Sequence, residues 1–281
     1  VLRHAALLLF LAAPAAAETA EHCRALWVGH AGAMALAGLG ERPPEDVGVE
    51  WGWCVARGLA ADPFGDGRGV LYPRVAWAAG QAADGGATFA VELEAAPAGT
   101  SPLLGRAASF RDRAALSLAL AEDAAAGVLS VRFGIAFEGM NGLSAELRAP
   151  GLTAAGVVPL PVRLATAELR SFSAGIESDG RLAERWAALF PPLEPPGAAD
   201  RAQAAAVIRA LPAGAMDAAS REAALALMHD WPDLRGRASI ELDAPEGFRP
   251  FALAGLGVAP DPARWLGATL AGARLRVAYR P

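Results

Sequence analysis

Few residues in this chain have the type and spacing to do chemistry. Cys23 and Cys54 are its two cysteines, with His22 beside the first and His30 a turn or two further on. A Cys2His2 zinc set can be drawn from these four, but the spacing fits no standard zinc pattern. An even cysteine count in an exported chain reads as a disulfide, so a Cys23–Cys54 bridge is expected. Asp62 and Asp66 lie among glycines in DPFGDGRG. That stretch lacks the carboxylate count and closing glutamate of a calcium loop and is read as a turn cluster. His229 stands with Asp230 near an expected helix end, where a cation suits the dipole. No G-x-S-x-G elbow, P-loop, dinucleotide fingerprint, HExxH or CxxC occurs. The remaining carboxylates are scattered on polar strand faces. Two acids that meet only in the folded chain, as in a glycosidase, leave no mark in a sequence. The reading is therefore a non-enzyme, with no catalytic residues, no metal ligands and no cofactor.

The clearest functional signal is a leader. Arg3 and His4 precede an apolar run from Ala5 to Ala13, Pro14 breaks it, and Ala15-Ala16-Ala17 ends before Glu18. This three-part pattern predicts a cleaved signal peptide over residues 1–17, and the run is too short for a transmembrane helix, which needs ~20 residues. Residues 18–281 are expected to form a single β-rich domain in the periplasm, not an integral membrane protein. The formal charge is −5, all 25 basic residues are arginine, and they are dispersed along the chain. Nucleic acid, which wants a concentrated basic face, is excluded as a partner.

The elements that must position these residues follow from hydrophobic periodicity. A glycine-broken helical pattern runs from Ala20 to Leu39. Val49, Trp51, Trp53 and Val55 then alternate with Glu50, Gly52, Cys54 and Ala56, predicting one strand with Cys54 turned away from the tryptophans. Val70 to Trp77 is a strand that Pro73 demotes to an edge or a bulge. Thr88 to Glu94, Ala115 to Ala121 and Leu129 to Phe137 alternate cleanly, and Asn141-Gly142 is a turn dipeptide. Leu143 to Leu147 follows, then a long strand over Pro161 to Glu177. Ser178-Asp179-Gly180 opens a helix carrying Leu182, Trp186, Leu189 and Phe190. A helix from near Asp200, with Gln203 at the capping-box position, and another after Asp217 complete an insertion over about 179–232. Arg237 to Ala244 returns to strand, Asp261-Pro262 opens a short helix, and Leu275, Val277 and Tyr279 alternate in the last strand. The fold class is α+β: a large curved antiparallel sheet, an open barrel or taco-like, with a helical layer inserted before the last strands.

Such a sheet offers one apolar face. Its best-patterned row, Leu129, Val131, Phe133, Ile135 and Phe137, is the candidate wall of a ligand cavity. GLSAELRAPGL (142–152), residues 168–190 and ASIELDAP (238–245) resemble uncharacterised exported proteobacterial proteins. The β-rich part is similar to the repeats of AsmA-type periplasmic lipid-handling proteins, although this chain is shorter and lacks their transmembrane anchor. The long apolar strand faces, the small residues that would leave room and the helical cover point to a non-enzymatic protein of envelope maintenance that binds a lipid or other hydrophobic ligand in the curved sheet. The alternative is a structural or protein-interaction module with a filled core that docks an envelope protein partner.

Overall fold

The computed structural model describes residues 19–40, 42–61, 70–97, 113–137, 139–153, 160–252 and 259–281. Ten strands stand in chain order in an antiparallel sheet that does not close on itself. Helices are inserted before the last strands, which makes the class α+β. The chain forms two compact units. One holds the residues up to Phe133 with Gly151–Arg163, the other Gly134–Pro150 with Leu164–Pro281.

The first unit begins with helix α1 (Ala20–Gly29) and helix α2 (Ala31–Leu36). Thr19 caps α1 by accepting from the His22 amide at 3.1 Å. Strands β1 (Gly48–Glu50), β2 (Trp53–Ala61), β3 (Val70–Gln81), β4 (Ala87–Pro97) and β5 (Ala114–Asp123) follow as a meander, and β6 (Val128–Ala136) begins here. Register sets Cys54, Trp77, Val91 and Leu118 in one row across β2 to β5. A neighbouring row on the same face carries Ala56, Val75, Leu93 and Leu116, and Phe89 stands opposite Leu120. All are buried. Cys23, Trp27 and His30 are spaced four and three residues apart, so they share one face of α1 and its end. Cys23 bridges to Cys54, Trp27 meets Trp77 edge-on at 5.0 Å, and His30 stacks on Phe89 at 4.0 Å. The buried indoles keep their N–H groups bonded: Trp77 Nε1 donates to the Cys23 carbonyl at 3.1 Å and Trp27 Nε1 to Gly40 at 3.0 Å.

Two expectations change in this unit. Residues 49–55 are not one strand. Glu50 pairs with Trp53, and Trp51 and Gly52 form the tip of a two-residue hairpin with φ of 54° and 81°. Two positive φ values match the right-handed twist of a hairpin, but the left-handed region costs a non-glycine residue about 1–2 kcal/mol. Pro73 produces the expected irregularity, a register shift between Leu71 and Arg74, within a strand that is paired on both sides. The turn cluster at 62–69 lies outside the described residues.

The second unit contains β7 (Gly142–Pro150), β8 (Leu169–Asp179), β9 (Arg235–Phe248) and β10 (Arg274–Arg280). Between β8 and β9 are α4 (Leu182–Ala187), α5 (Ala198–Ala210) and α6 (Ala218–Asp230); α7 (Pro262–Thr269) precedes β10. Val277, Ile240 and Ala174 form one apolar row, and Leu275, Leu242, Phe172 and Leu147 form the next. Leu211, Met216, Phe248 and Leu270 pack with Leu242 and Val277 into one core, against which Leu227 and Ile208 also lie. Asp217 caps α6 through the Ser220 amide at 2.7 Å, and Asp261 caps α7 through Arg264 at 3.0 Å, as their sequences predict. The capping of α5 is displaced: Gly197 is the N-cap, and its amide donates to Asp200 at 3.2 Å.

Three readings are corrected here. The long strand expected over Pro161 to Glu177 is a helix, α3 (Leu160–Thr166), followed by β8 from Leu169. Asn141 closes the turn after β6 and does not stand at its tip: its carbonyl accepts from the Phe137 amide at 2.8 Å, the residue is buried, and its side-chain oxygen accepts from the Asp179 amide at 3.3 Å and the Ser178 hydroxyl at 3.4 Å. Asp179 does not cap α4 directly. It accepts from the amide of Arg181, the N-cap residue, at 3.0 Å.

Two outcomes follow. Replacing Cys54 by Ser should lower stability by roughly 3–4 kcal/mol, the loop-entropy value for a bridge of this span. Calorimetry showing an unchanged melting temperature would contradict it. Burial, which disfavours the imidazolium, is the main reason that His30 titrates below the ordinary histidine value of 6.5. The folded state therefore binds fewer protons there than the unfolded state. Stability from this group is present above pH 6.5 and is lost as the pH falls through the lower folded value. His30→Phe, which keeps a ring on Phe89, should flatten that acid slope in urea titrations. An unaltered slope would assign it elsewhere.

Candidate functional site

The cysteine pair is a disulfide, with a Cα–Cα distance of 5.5 Å, and both residues are fully buried. It consumes both thiols that a zinc set would need. His22 is exposed, and the His30 Nδ1 lies 2.9 Å from the Leu26 carbonyl while its ring faces Phe89. Among the described residues no three His, Cys, Asp or Glu side chains gather as metal ligands.

The row on β6 is largely enclosed. Leu129, Val131, Ile135 and Phe137 are exposed by 0 to 7 %, and Phe133 is half-buried. Leu129, Val131 and Phe133 belong to the first unit, Ile135 and Phe137 to the second. Phe137 packs edge-on against Phe190 at 6.5 Å, and Phe190 lies 4.6 Å from Trp186. The outward residues Arg132 and Ala136 are exposed, so the predicted alternation is present.

A concavity that the sequence did not announce lies on the polar face of β7 to β10. It has a volume of about 360 Å³ and is bordered by Glu146, Ser171, Ser173, Glu241, Asp243, Arg274 and Arg276, with Phe172 and Leu242 also lining it. Register explains the grouping. Glu146, Ser173, Glu241 and Arg276 stand in one row across the four strands, and Arg148, Ser171, Asp243 and Arg274 in the next. Strand alternation sends these side chains to the face opposite the apolar core. The third row, Ser144, Gly175, Ser239 and Ala278, is built of small residues. A Cβ added at Gly175 would stand 2.8 Å from the Ser144 hydroxyl, which would have to turn aside. Arg276 faces Glu241 at 3.7 Å, a loose pair between exposed groups worth little to stability. One row beyond the serines, Arg237 pairs with Glu177 at 2.8 Å.

Chemically this face is a set of hydrogen-bonding and charged groups. Two guanidiniums offer forked donors, three carboxylates accept, and two hydroxyls do either. No histidine borders it, so neither serine has a base beside it. Three carboxylates, Glu146, Glu241 and Asp243, border the concavity. His229 is elsewhere, exposed at the end of α6 and 3.2 Å from Asp230, which also accepts from the Tyr279 hydroxyl at 2.9 Å. Among the described residues no helix is long and apolar enough to cross a membrane. The chain matches no protein-family model, no curated protein and no solved structure.

Proposed function

We propose that this chain is a non-enzymatic protein of the bacterial periplasm that works as an interaction module, with a filled interior and its binding surface on the outside. The observation that carries the reading is the burial of Leu129, Val131, Ile135 and Phe137. The wall of a lipid-sized cavity leaves room for water-sized spheres against its side chains; here almost none remains. A core of this kind contributes stability through packing. The Cys23–Cys54 bridge supports export to an oxidising compartment, in line with the leader pattern. The binding surface is the polar face of β7 to β10, and its partner is an envelope protein. A mixed-charge surface of this kind gives orientation and specificity more than raw affinity, through paired charges across the contact.

The test uses a photoreactive amino acid placed at Ser173, on the floor of the concavity. Illumination of cells exporting the variant should yield one dominant cross-linked protein adduct. Adding Arg274→Glu and Arg276→Glu should reduce the adduct at least tenfold while leaving the melting temperature within a degree or two, because both arginines are exposed and Arg276 is only loosely paired. No adduct at Ser173, or an adduct indifferent to the two reversals, would contradict the assignment of this face.

A further inference from the structure

β10 is the last strand in the sheet order, so among the described strands one of its edges is unpaired. The register with β9 and one further bond fix which backbone groups face that side. The Leu275 amide donates to the Ala215 carbonyl at 2.7 Å and so points away from β9. Bonding direction alternates along a strand of an antiparallel pair. Arg274, Arg276, Ala278 and Arg280 therefore bond to β9, and the N–H and C=O groups of Val277 and Tyr279 turn outward. Among the described residues these outward groups meet no hydrogen-bond partner.

The side chains along this edge divide by face. Val277 belongs to the core on which α6 lies, and the Tyr279 hydroxyl donates to Asp230 at the end of that helix at 2.9 Å. The helix thus covers the apolar face of β10, and the loop before it closes the edge at Leu275. On the polar face Arg276 and Arg280 are exposed on either side of Ala278, about 14 Å apart at the rise of a strand. Arg276 meets Glu241 only loosely, at 3.7 Å. Arg280 stands opposite Arg237, whose own partner is Glu177.

We propose that the open edge of β10 takes up an extended acidic segment of another protein as an added strand. Outward N–H and C=O groups on alternate residues are what the backbone of an extended peptide satisfies. Residues of that peptide opposite Val277 and Tyr279 fall on the apolar face, and those opposite Arg276, Ala278 and Arg280 on the polar face. Carboxylates opposite the two arginines make favourable cross-strand pairs. A second copy of β10 is a poor occupant. The antiparallel register that uses Val277 and Tyr279 of both copies sets Arg276 against Arg280 at each end, and like charges directly opposed are destabilising. The arginines thus keep copies of the edge apart while admitting an acidic strand. This site is the edge of β10, not the floor of the concavity, and it stands without the reading given above.

The experiment follows amide hydrogen exchange by NMR in the exported protein, with a short synthetic peptide in which Glu alternates with Val. Without peptide, the Val277 and Tyr279 amides should exchange fast and those of Arg276 and Ala278 slowly, because only the latter are bonded to β9. The peptide should slow exchange at Val277 and Tyr279 by roughly tenfold or more. N-methylation of its valines removes the donors that face β10 and should abolish that protection. Replacing its Glu by Lys should do the same. Arg280→Glu, an exposed change that spares the fold, should weaken protection by the Glu peptide and create it for the Lys peptide. The inference is overturned if the Glu peptide leaves both amides unchanged. It is equally overturned if the N-methylated or the Lys peptide protects them as well in the wild type.

Discussion

The constraint on which everything else depends is strand register. In a meander each strand is paired with its sequence neighbours, and a slip of one residue would exchange the two faces. In the first unit, register aligns Cys54, Trp77, Val91 and Leu118 on the side that α1 covers. The disulfide then ties that side to the helix at a single place. In the second, register stacks Leu242 and Val277 under the helices and sends Glu241, Arg276 and the serines the other way. Each unit thus has one face whose burial stabilises it, and in the second the opposite face is polar.

Much of this is legible in the sequence because period-two alternation is a local signal. Phe89, Val91 and Leu93, then Leu116, Leu118 and Leu120, announce their strands and their buried face, and the helical insertion before the final strands is equally plain. Where sequence and structure part, the causes are physical. A two-residue turn exchanges the faces, so Val49 stands with Cys54 and not with Val55 although the sequence alternates without a break, and tryptophan at the tip disguises the turn that Gly52 marks. Helix α3 is only seven residues long, too short for a 3.6-residue period to outweigh its valine and the extended look of Pro161. Asn141-Gly142 has turn chemistry, yet the Asn141 side chain is drawn inward by Ser178 and Asp179, a demand made by residues far along the chain.

The candidate surface is not legible at all. Its members run from Glu146 to Arg276 on four strands, so no spacing in the sequence links them, and only the completed ladder brings them together. The row on β6 does announce an apolar face. An alternating strand looks the same whether its face meets side chains or empty space, and burial is what distinguishes the two.

The central claim is that the interior is filled and binding happens outside. Native mass spectrometry of the exported protein, purified gently and without reductant, tests it most directly. The account predicts a bare polypeptide about two daltons lighter than its reduced form, the mark of one disulfide. A retained mass equal to a lipid, released on denaturation, would contradict it and return the β6 face to the role of a cavity wall.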